Sequence, residues 1–291
     1  MSAEFMVGQD ENLAHSGGVK FTQSFIRALS RPSAAVGLAI VSFWILVAIL
    51  APLIAPYGPN DLVGHALQSP SAAFLLGTDD LGRDVLSRVV WGARVVLVLA
   101  PMAVLIAEIA GALIGLFTGY IGGWVDDVIM RINDALISFP AILLYLLIIA
   151  ALGPSKTNVV IAIALASIPG IARIVRGVVL YLRTRSFILA ARLRGERLWY
   201  MLLVELLPNA RGPVIVDATL RIAYAAFAIG TLGFLGLGTP PPDPDWGGMV
   251  NQGVKWLSVS AWMTAVPAIA LASLVIGLNL LADSLQSRIK Q

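Results

Sequence analysis

Six long apolar runs constrain what this chain can fold into. Each approaches the roughly 20 residues that an α-helix needs to cross a bilayer core about 30 Å thick. Within that core every backbone polar group must be paired inside the segment, which favours helices. The runs cover residues 34–55, 95–117, 135–152, 159–179, 214–237 and 262–282. We therefore predict an all-α integral membrane protein with six transmembrane helices. We expect the membrane part of the fourth to end near Ile171 and the helix to continue into water.

The amino-acid composition excludes several other classes of protein. Apolar residues make up 58% of the chain and charged residues 13%, whereas soluble domains average about 45–50% and about 25%. The absence of cysteine excludes disulfides and thiolate chemistry, and the two histidines, His15 and His65, lie far apart, so we expect no metal site. A net charge of only +3 gives little support to nucleic-acid binding, and we expect none.

The distribution of lysine and arginine predicts the orientation in the membrane, because these residues favour the cytoplasmic side. With the N-terminus inside, fourteen of the twenty basic residues flank the spans on the cytoplasmic side, five lie outside, and Arg221 falls within the fifth run. Both termini should therefore be cytoplasmic.

The segment before the first run is polar, and no small-residue cleavage site follows the run. We therefore expect the first run to be a retained span and not a signal peptide. Residues 1–18 are predicted to form a flexible cytoplasmic tail. Phe21, Phe25 and Leu29 recur every four residues among basic residues, which favours a short helix in the membrane interface; a disordered segment is the alternative.

Three glycines in the second run occur four residues apart. Gly111, Gly115 and Gly119 would lie on one helix face and allow close approach of another helix. We predict a packing face, with lining of a substrate path as the alternative.

Charged residues inside the runs are candidates for function, since they are costly in a membrane unless paired or hydrated. Glu108, in the second run, is a candidate for a translocation path; the alternative pairs it with a neighbouring helix or leaves it protonated. Asp217 and Arg221 are four residues apart in the fifth run and should form an intramembrane ion pair.

Sequence motifs for hydrolytic chemistry are absent. The chain has no phosphate-binding loop of the G-x-x-x-x-G-K-[ST] type and no H-E-x-x-H motif. We predict no catalytic residues, so energy for transport would have to come from elsewhere.

The most informative segment is the basic loop of residues 183–211. It should begin as a helix, end that helix near Gly195, and continue through an apolar stretch that Pro208 stops. This arrangement predicts a helix-turn-helix protrusion, here called the knob, suited to insertion into a partner's groove. Its spacing resembles the E-A-A-x3-G-x9-I-x-L-P loop of ABC importer membrane subunits, whose first helix docks into a cleft of the ATPase. The resemblance assigns coupling to Ala190, Ala191, Arg194, Gly195, Glu196, Leu207 and Pro208.

Other motifs narrow the resemblance to the dipeptide, oligopeptide and nickel permease family. They are L-A-P-L-I-A-P-Y at 50–57, L-G-T-D-D-L-G-R-D-V-L-S-R at 76–88, G-Y-I-G-G-W-V-D at 119–126, and F-L-G-L-G at 234–238 followed by prolines and Trp246-Gly247. The long L-G-T-D outer loop is similar to that of the C-type subunit of the permease pair.

The resemblance implies the type I ABC importer permease architecture. Residues 19–72 would hold the interfacial helix, the first span and the start of the outer loop. Residues 93–283 would form the transmembrane domain with five helices.

The chain departs from the family pattern at three positions. Leu189 stands where the family loop has glutamate, Glu205 where it has isoleucine, and Ile229 where an acidic residue commonly precedes the F-L-G-L-G segment. We expect coupling to survive, because the shape of the knob depends on the alanines and the glycine.

The function that the resemblance implies is half of an ATP-driven import pathway in a bacterial inner membrane. A homologous permease subunit, two ATP-binding cassette subunits and an extracytoplasmic substrate-binding protein would be the partners. ATP and magnesium would be bound by the ATPases, with no cofactor in this chain. Peptides are the expected substrate, with nickel chelates, opines or glycosides as alternatives.

A different class also fits part of the sequence. An ion-coupled secondary transporter could use Glu108 as a relay, since broken helices, glycines and a membrane acid occur in that class. Such a carrier would not need a knob that binds an ATPase. A membrane scaffold without transport activity would need neither the knob nor an acid within the membrane.

Overall fold

The computed structural model describes residues 32–289, and these form nine helices. They are α1 (Pro32–Ile54), α2 (Val85–Ile121), α3 (Gly123–Ile137), α4 (Ala141–Leu152), α5 (Lys156–Leu182), α6 (Ser186–Leu193), α7 (Leu198–Phe234), α8 (Trp246–Val254) and α9 (Trp262–Ile289). The all-α prediction is confirmed. The predicted tail of residues 1–18 and the interfacial helix around Phe25 lie outside the described residues.

Five of these helices, α1, α2, α5, α7 and α9, are long and apolar enough to cross a membrane. A sixth crossing exists only if α3 and α4 count as one span, and the two helices meet at a bend of 90°. The single straight helix predicted over 135–152 is therefore wrong. Pro140 supplies no N–H for the turn before it, and the 12 residues of α4 extend only about 18 Å.

Two further boundaries differ from the sequence prediction. The second run begins earlier, at Val85, because the Asp84 carboxylate accepts a hydrogen bond from the Ser87 N–H at 2.7 Å and caps α2. Pro208 does not stop the chain's helix, which continues to Phe234. A π-helical stretch, Met201–Leu206, precedes the proline, and its wider turns accommodate a residue that has no N–H to donate. The fourth run continues as helix to Leu182, as expected.

Helix α2 packs along α5 through the three glycines of the predicted packing face. A Cβ added at Gly111 would lie 2.7 Å from the Cβ of Ile171, and one added at Gly119 would lie 2.9 Å from the Cβ of Val179. Gly115 faces the backbone of Ala172 in the same row. The absence of side chains on this face therefore sets the distance between the two helices.

A proline in α1 is compensated by an arginine of α2. Pro52 has no N–H, so the carbonyl of Ala48, one turn earlier, loses its helical donor. The Arg94 Nε donates to that carbonyl at 2.5 Å, and the same guanidinium donates to the carbonyl of Ile49 at 3.1 Å. Arg94 thus joins α2 to α1.

The outer loop between α1 and α2 is held by a buried ion cluster. The Asp79 carboxylate contacts Arg83 Nε at 2.6 Å and Arg88 Nε at 3.5 Å, and all three side chains are buried. Arg88 also donates to the carbonyl of Pro59 at 2.9 Å. The L-G-T-D segment therefore serves to fix the loop over the end of α2.

Candidate functional site

The knob is formed by α6, a tight turn and the first turns of α7. Gly195 has a φ of 74°, a conformation that favours glycine. The Gly195 N–H donates to the carbonyl of Arg192 at 3.0 Å, and the Glu196 N–H donates to the carbonyl of Ala191 at 3.3 Å. These two bonds form a Schellman motif, which ends α6 and reverses the chain.

The two legs of the knob enclose a small apolar core. Ile188 and Ala191 of α6 are fully buried, as are Met201, Leu202 and Leu206 at the start of α7. Because Ile188 and Ala191 are three residues apart, they lie on the same face of α6. Ala191 therefore packs inside the knob, whereas Ala190 is exposed on its surface.

Arg194 joins the turn to the second leg. Its guanidinium contacts Glu196 at 3.2 Å and Glu205 at 3.1 Å, and the hydrogen bond to Glu196 raises the pKa of Arg194 above its ordinary value. Glu205 thus has an intrachain role. Leu207 is half-buried and Pro208 is exposed at the far end of this leg.

The outer surface of the knob carries several exposed apolar side chains among its arginines. Leu193 is 90% exposed, and Leu189, Trp199, Leu203 and Val204 are also exposed. Outside the membrane such a surface is costly in water and is typical of a protein interface.

Helix α3 is attached to α5 by two ion pairs that the sequence analysis did not identify. The Asp126 carboxylate accepts two hydrogen bonds from Arg176, each at 2.5 Å, and Asp134 contacts Arg173 at 2.5 Å. Asp126 and Asp134 lie on one face of the amphipathic helix α3, and this spacing could have indicated that the face contacts basic residues. The pairs fix α3 beside the end of α5 that leads into the knob.

A second charged cluster lies inside the bundle. Arg221 Nε donates to the Asp217 carboxylate on the same helix, α7, and lies 3.9 Å from the Glu108 carboxylate on α2. Glu108 is 8% exposed, and among the described residues neither of its oxygens has a hydrogen-bond partner. The two acids exceed the single cation, so their charge is not fully compensated when both are ionised.

This cluster borders a cavity of about 440 Å³ between α4, α5 and α7. Arg221 lines the cavity, and Tyr145, Ser167, Tyr224 and Thr231 are the other polar residues in its wall. Glu108 is not among the lining residues and lies behind Arg221. Of the three charged residues in this cluster, only Arg221 lines the cavity and is placed for direct contact with a solute.

Asp245 is a buried acid that sequence reasoning missed. It caps α8 and accepts hydrogen bonds from the N–H groups of Gly247 at 3.1 Å and Thr239 at 3.3 Å. Burial outweighs these bonds and raises the pKa of Asp245 to about 6. The residue holds the glycine-rich end of α7 against α8.

Metal binding has no structural support in the described part of the chain. No group of three or more His, Cys, Asp or Glu side chains is arranged to hold an ion there.

Comparison with known proteins gives two family matches. The profile of the family described as "Binding-protein-dependent transport system inner membrane component" matches residues 111–291. A second profile, the N-terminal TM domain of oligopeptide transport permease C, matches residues 21–74.

Individual relatives are similar over most of their length. The chain is 40% identical to the dipeptide transport system permease protein DppC of Alkalihalophilus pseudofirmus, over 91% of this chain and 87% of the relative. It is 36% identical to the di/tripeptide transport system permease protein DppC of Pseudomonas aeruginosa, over 95% and 93%. The glutathione transport system permease protein GsiD of Pectobacterium atrosepticum is also 36% identical, over 92% and 88%.

Proposed function

Because the chain belongs to the family of binding-protein-dependent transport system inner membrane components, we propose that it forms half of the membrane pathway of an ATP-driven peptide importer. It is a multi-pass protein of the bacterial inner membrane and a transport subunit, and ATP hydrolysis belongs to partner subunits of such systems. Peptides are the proposed cargo because the similar relatives carry dipeptide, di/tripeptide and glutathione transport names.

The proposed partners follow from the same membership. A homologous permease completes the pathway, two ATP-binding cassette subunits bind the knob side and hold ATP and magnesium, and an extracytoplasmic binding protein delivers the peptide. The N- and C-termini are cytoplasmic in this arrangement, in agreement with the fourteen basic residues that flank that side. Residues 93–283 form the transmembrane domain, and residues 19–72 precede it with the first span.

The observation that carries the proposal is the knob. It has a rigid reverse turn at Gly195 and an internal core at Ala191, so it can transmit force as a unit. Ala190 leaves room for close contact, and Leu193 offers an exposed apolar side chain to a cleft. Closure of the ATPases on ATP would move this unit together with α5 and α7, which it joins directly.

The cavity beside Arg221 is the proposed intramembrane part of the path. Its phenol and hydroxyl groups suit the polar backbone of a peptide, and its mixed lining tolerates different side chains. Asp217, which accepts a hydrogen bond from Arg221, keeps this arginine from binding a carboxylate too tightly for release, because it already offsets the charge of the guanidinium group.

The proposed function is tested by uptake in vesicles that contain the whole complex. ATP-dependent, vanadate-sensitive uptake of a labelled dipeptide that requires the binding protein would support it. Uptake that an uncoupler abolishes while ATP is held constant would overturn it in favour of an ion-coupled carrier.

A further inference from the structure

A basic cavity lies at the base of the knob, apart from the path beside Arg221. It has a volume of about 460 Å³ and is enclosed by the end of α2, the α5–α6 connection and α6. Its walls are formed by Tyr120, Ile121, Arg183, Thr184, Leu189 and Arg192. The cavity therefore combines cationic, hydroxyl and apolar groups in one small space.

The two arginines are positioned by contacts that leave their charge uncompensated. Arg183 donates from Nη1 to the carbonyl of Gly119 at 3.2 Å, and the Arg192 guanidinium stacks 4.8 Å from the ring centroid of Tyr120. Within residues 32–286 neither forms an ion pair with a carboxylate. Arg173, Arg176 and Arg194, which lie at the same end of the bundle, each have an acidic partner.

Leu189 also lines the cavity, where it supplies an apolar surface and no negative charge. A carboxylate at this position would lie in the same cavity as both guanidinium groups. A site with two uncompensated guanidinium groups beside apolar side chains is complementary to an anion joined to a hydrocarbon group.

We propose that this cavity binds the phosphate of an anionic phospholipid from the leaflet on the knob side. The guanidinium groups of Arg183 and Arg192 contact the phosphate, while Leu189 and Ile121 contact the apolar part of the lipid. Exposed aromatic residues lie at the same end: Tyr181 is 61% exposed and Trp124 is 76% exposed. Such residues are enriched at the membrane–water interface, where phospholipid phosphates lie.

Lipid retention by the assembled complex tests the proposal. The complex is placed in phosphatidylethanolamine nanodiscs that contain a minor fraction of phosphatidylglycerol, and the lipids that stay bound after extraction are measured by native mass spectrometry. We expect selective retention of phosphatidylglycerol, reduced about fivefold by each of Arg183→Gln and Arg192→Gln, which corresponds to about 1 kcal/mol for each basic residue.

Arg197→Gln is the matched control, because Arg197 belongs to the same knob and is exposed but does not line the cavity. It should leave retention unchanged. An equal loss in Arg197→Gln would overturn the proposal, since it would indicate general attraction to basic charge. Displacement of the lipid by inorganic phosphate at millimolar concentration would also overturn it, because the site would then serve free phosphate.

A second variant restores the family residue. Leu189→Glu changes an exposed position, so we expect the complex to assemble, and the new carboxylate should repel phosphate and abolish selective retention. Unchanged retention in Leu189→Glu would contradict the proposal and would favour an acidic side chain of the ATPase as the partner of these arginines. Peptide uptake is measured separately, so that loss of lipid binding and loss of transport are distinguished.

Discussion

The indole Nε1 of Trp246 donates to the backbone carbonyl of Val89 at 2.9 Å, which joins α8 to α2 across 157 residues of sequence. The ring is fully buried and stands edge-on to Trp44, with centroids 4.8 Å apart. It occupies the space beside Gly92, where an added Cβ would lie 2.7 Å from the ring. The outer end of the bundle is thus assembled around one side chain.

Replacing this side chain should destabilise the fold. Trp246→Ala should lower the free energy of unfolding by about 3–5 kcal/mol, because it leaves a cavity and removes the donor to Val89. In the permease without its ATPase partners, Trp199→Ala, at an exposed tryptophan of the knob, should change it by less than about 0.5 kcal/mol. Thermal unfolding of the purified permease in detergent measures both, and equal effects would contradict the packing described here.

Asp245 should make stability depend on pH. Its folded pKa is raised from 3.8 to about 6, so the folded state binds the proton more tightly than the unfolded state. The contribution of Asp245 to stability should be greatest below about pH 4, decrease by about 3 kcal/mol as the pH rises through about 6, and stay constant above that.

Asp245→Asn is the control for this dependence, since asparagine retains an oxygen acceptor and has no charge to bury. The difference in melting temperature between pH 4 and pH 7 should shrink in this variant. An unchanged difference would assign the pH dependence to other groups.

The two ion pairs between α3 and α5 should contribute unequally. Asp126 is buried and bound by two hydrogen bonds from Arg176, whereas Asp134 and Arg173 are both exposed. Asp126→Asn should destabilise by about 2–3 kcal/mol, since it removes charge-assisted bonds. Asp134→Asn should cost less than about 1 kcal/mol. A larger loss from Asp134→Asn in thermal unfolding would contradict this order.

Glu108 should influence which peptides are transported. Because it lies 3.9 Å from Arg221 and behind the cavity wall, Glu108→Gln makes the cavity more positive. Uptake of cationic peptides should then fall several-fold more than uptake of neutral ones. Competition assays with lysine- and alanine-containing dipeptides measure the ratio, and equal losses would exclude an electrostatic role.

The sequence predicted the helices whose apolar runs are long and uninterrupted by charge, such as α1 and α9. It did not predict the bend at Pro140, because Pro101, Pro169 and Pro267 lie inside helices that continue. Whether a proline interrupts a span depends on how neighbouring helices pack against the turns on either side of it. The amino-acid sequence alone does not show that packing.

The sequence predicted those parts of the candidate site that depend only on neighbouring residues in the chain. The turn at Gly195 follows from backbone preference. The burial of Ala191, however, depends on contact with Met201 and Leu202, and the position of Glu108 behind Arg221 depends on how α2 meets α7. The glycine row of α2 was predictable because its contact with α5 repeats every four residues. The contacts of Ala191 and Glu108 involve single residues and leave no such periodic signal.

The central claim is that the knob couples ATP hydrolysis to peptide transport, and Ala190 tests it most directly. Ala190→Trp adds bulk at the exposed alanine of α6 without disturbing the buried face, while Ala190→Ser keeps the side chain small. The measurement is binding-protein-stimulated ATPase activity together with peptide uptake in reconstituted vesicles. We predict that Ala190→Trp loses both while the permease still reaches the membrane, and that Ala190→Ser retains both. Full uptake and ATPase activity in Ala190→Trp would contradict the account.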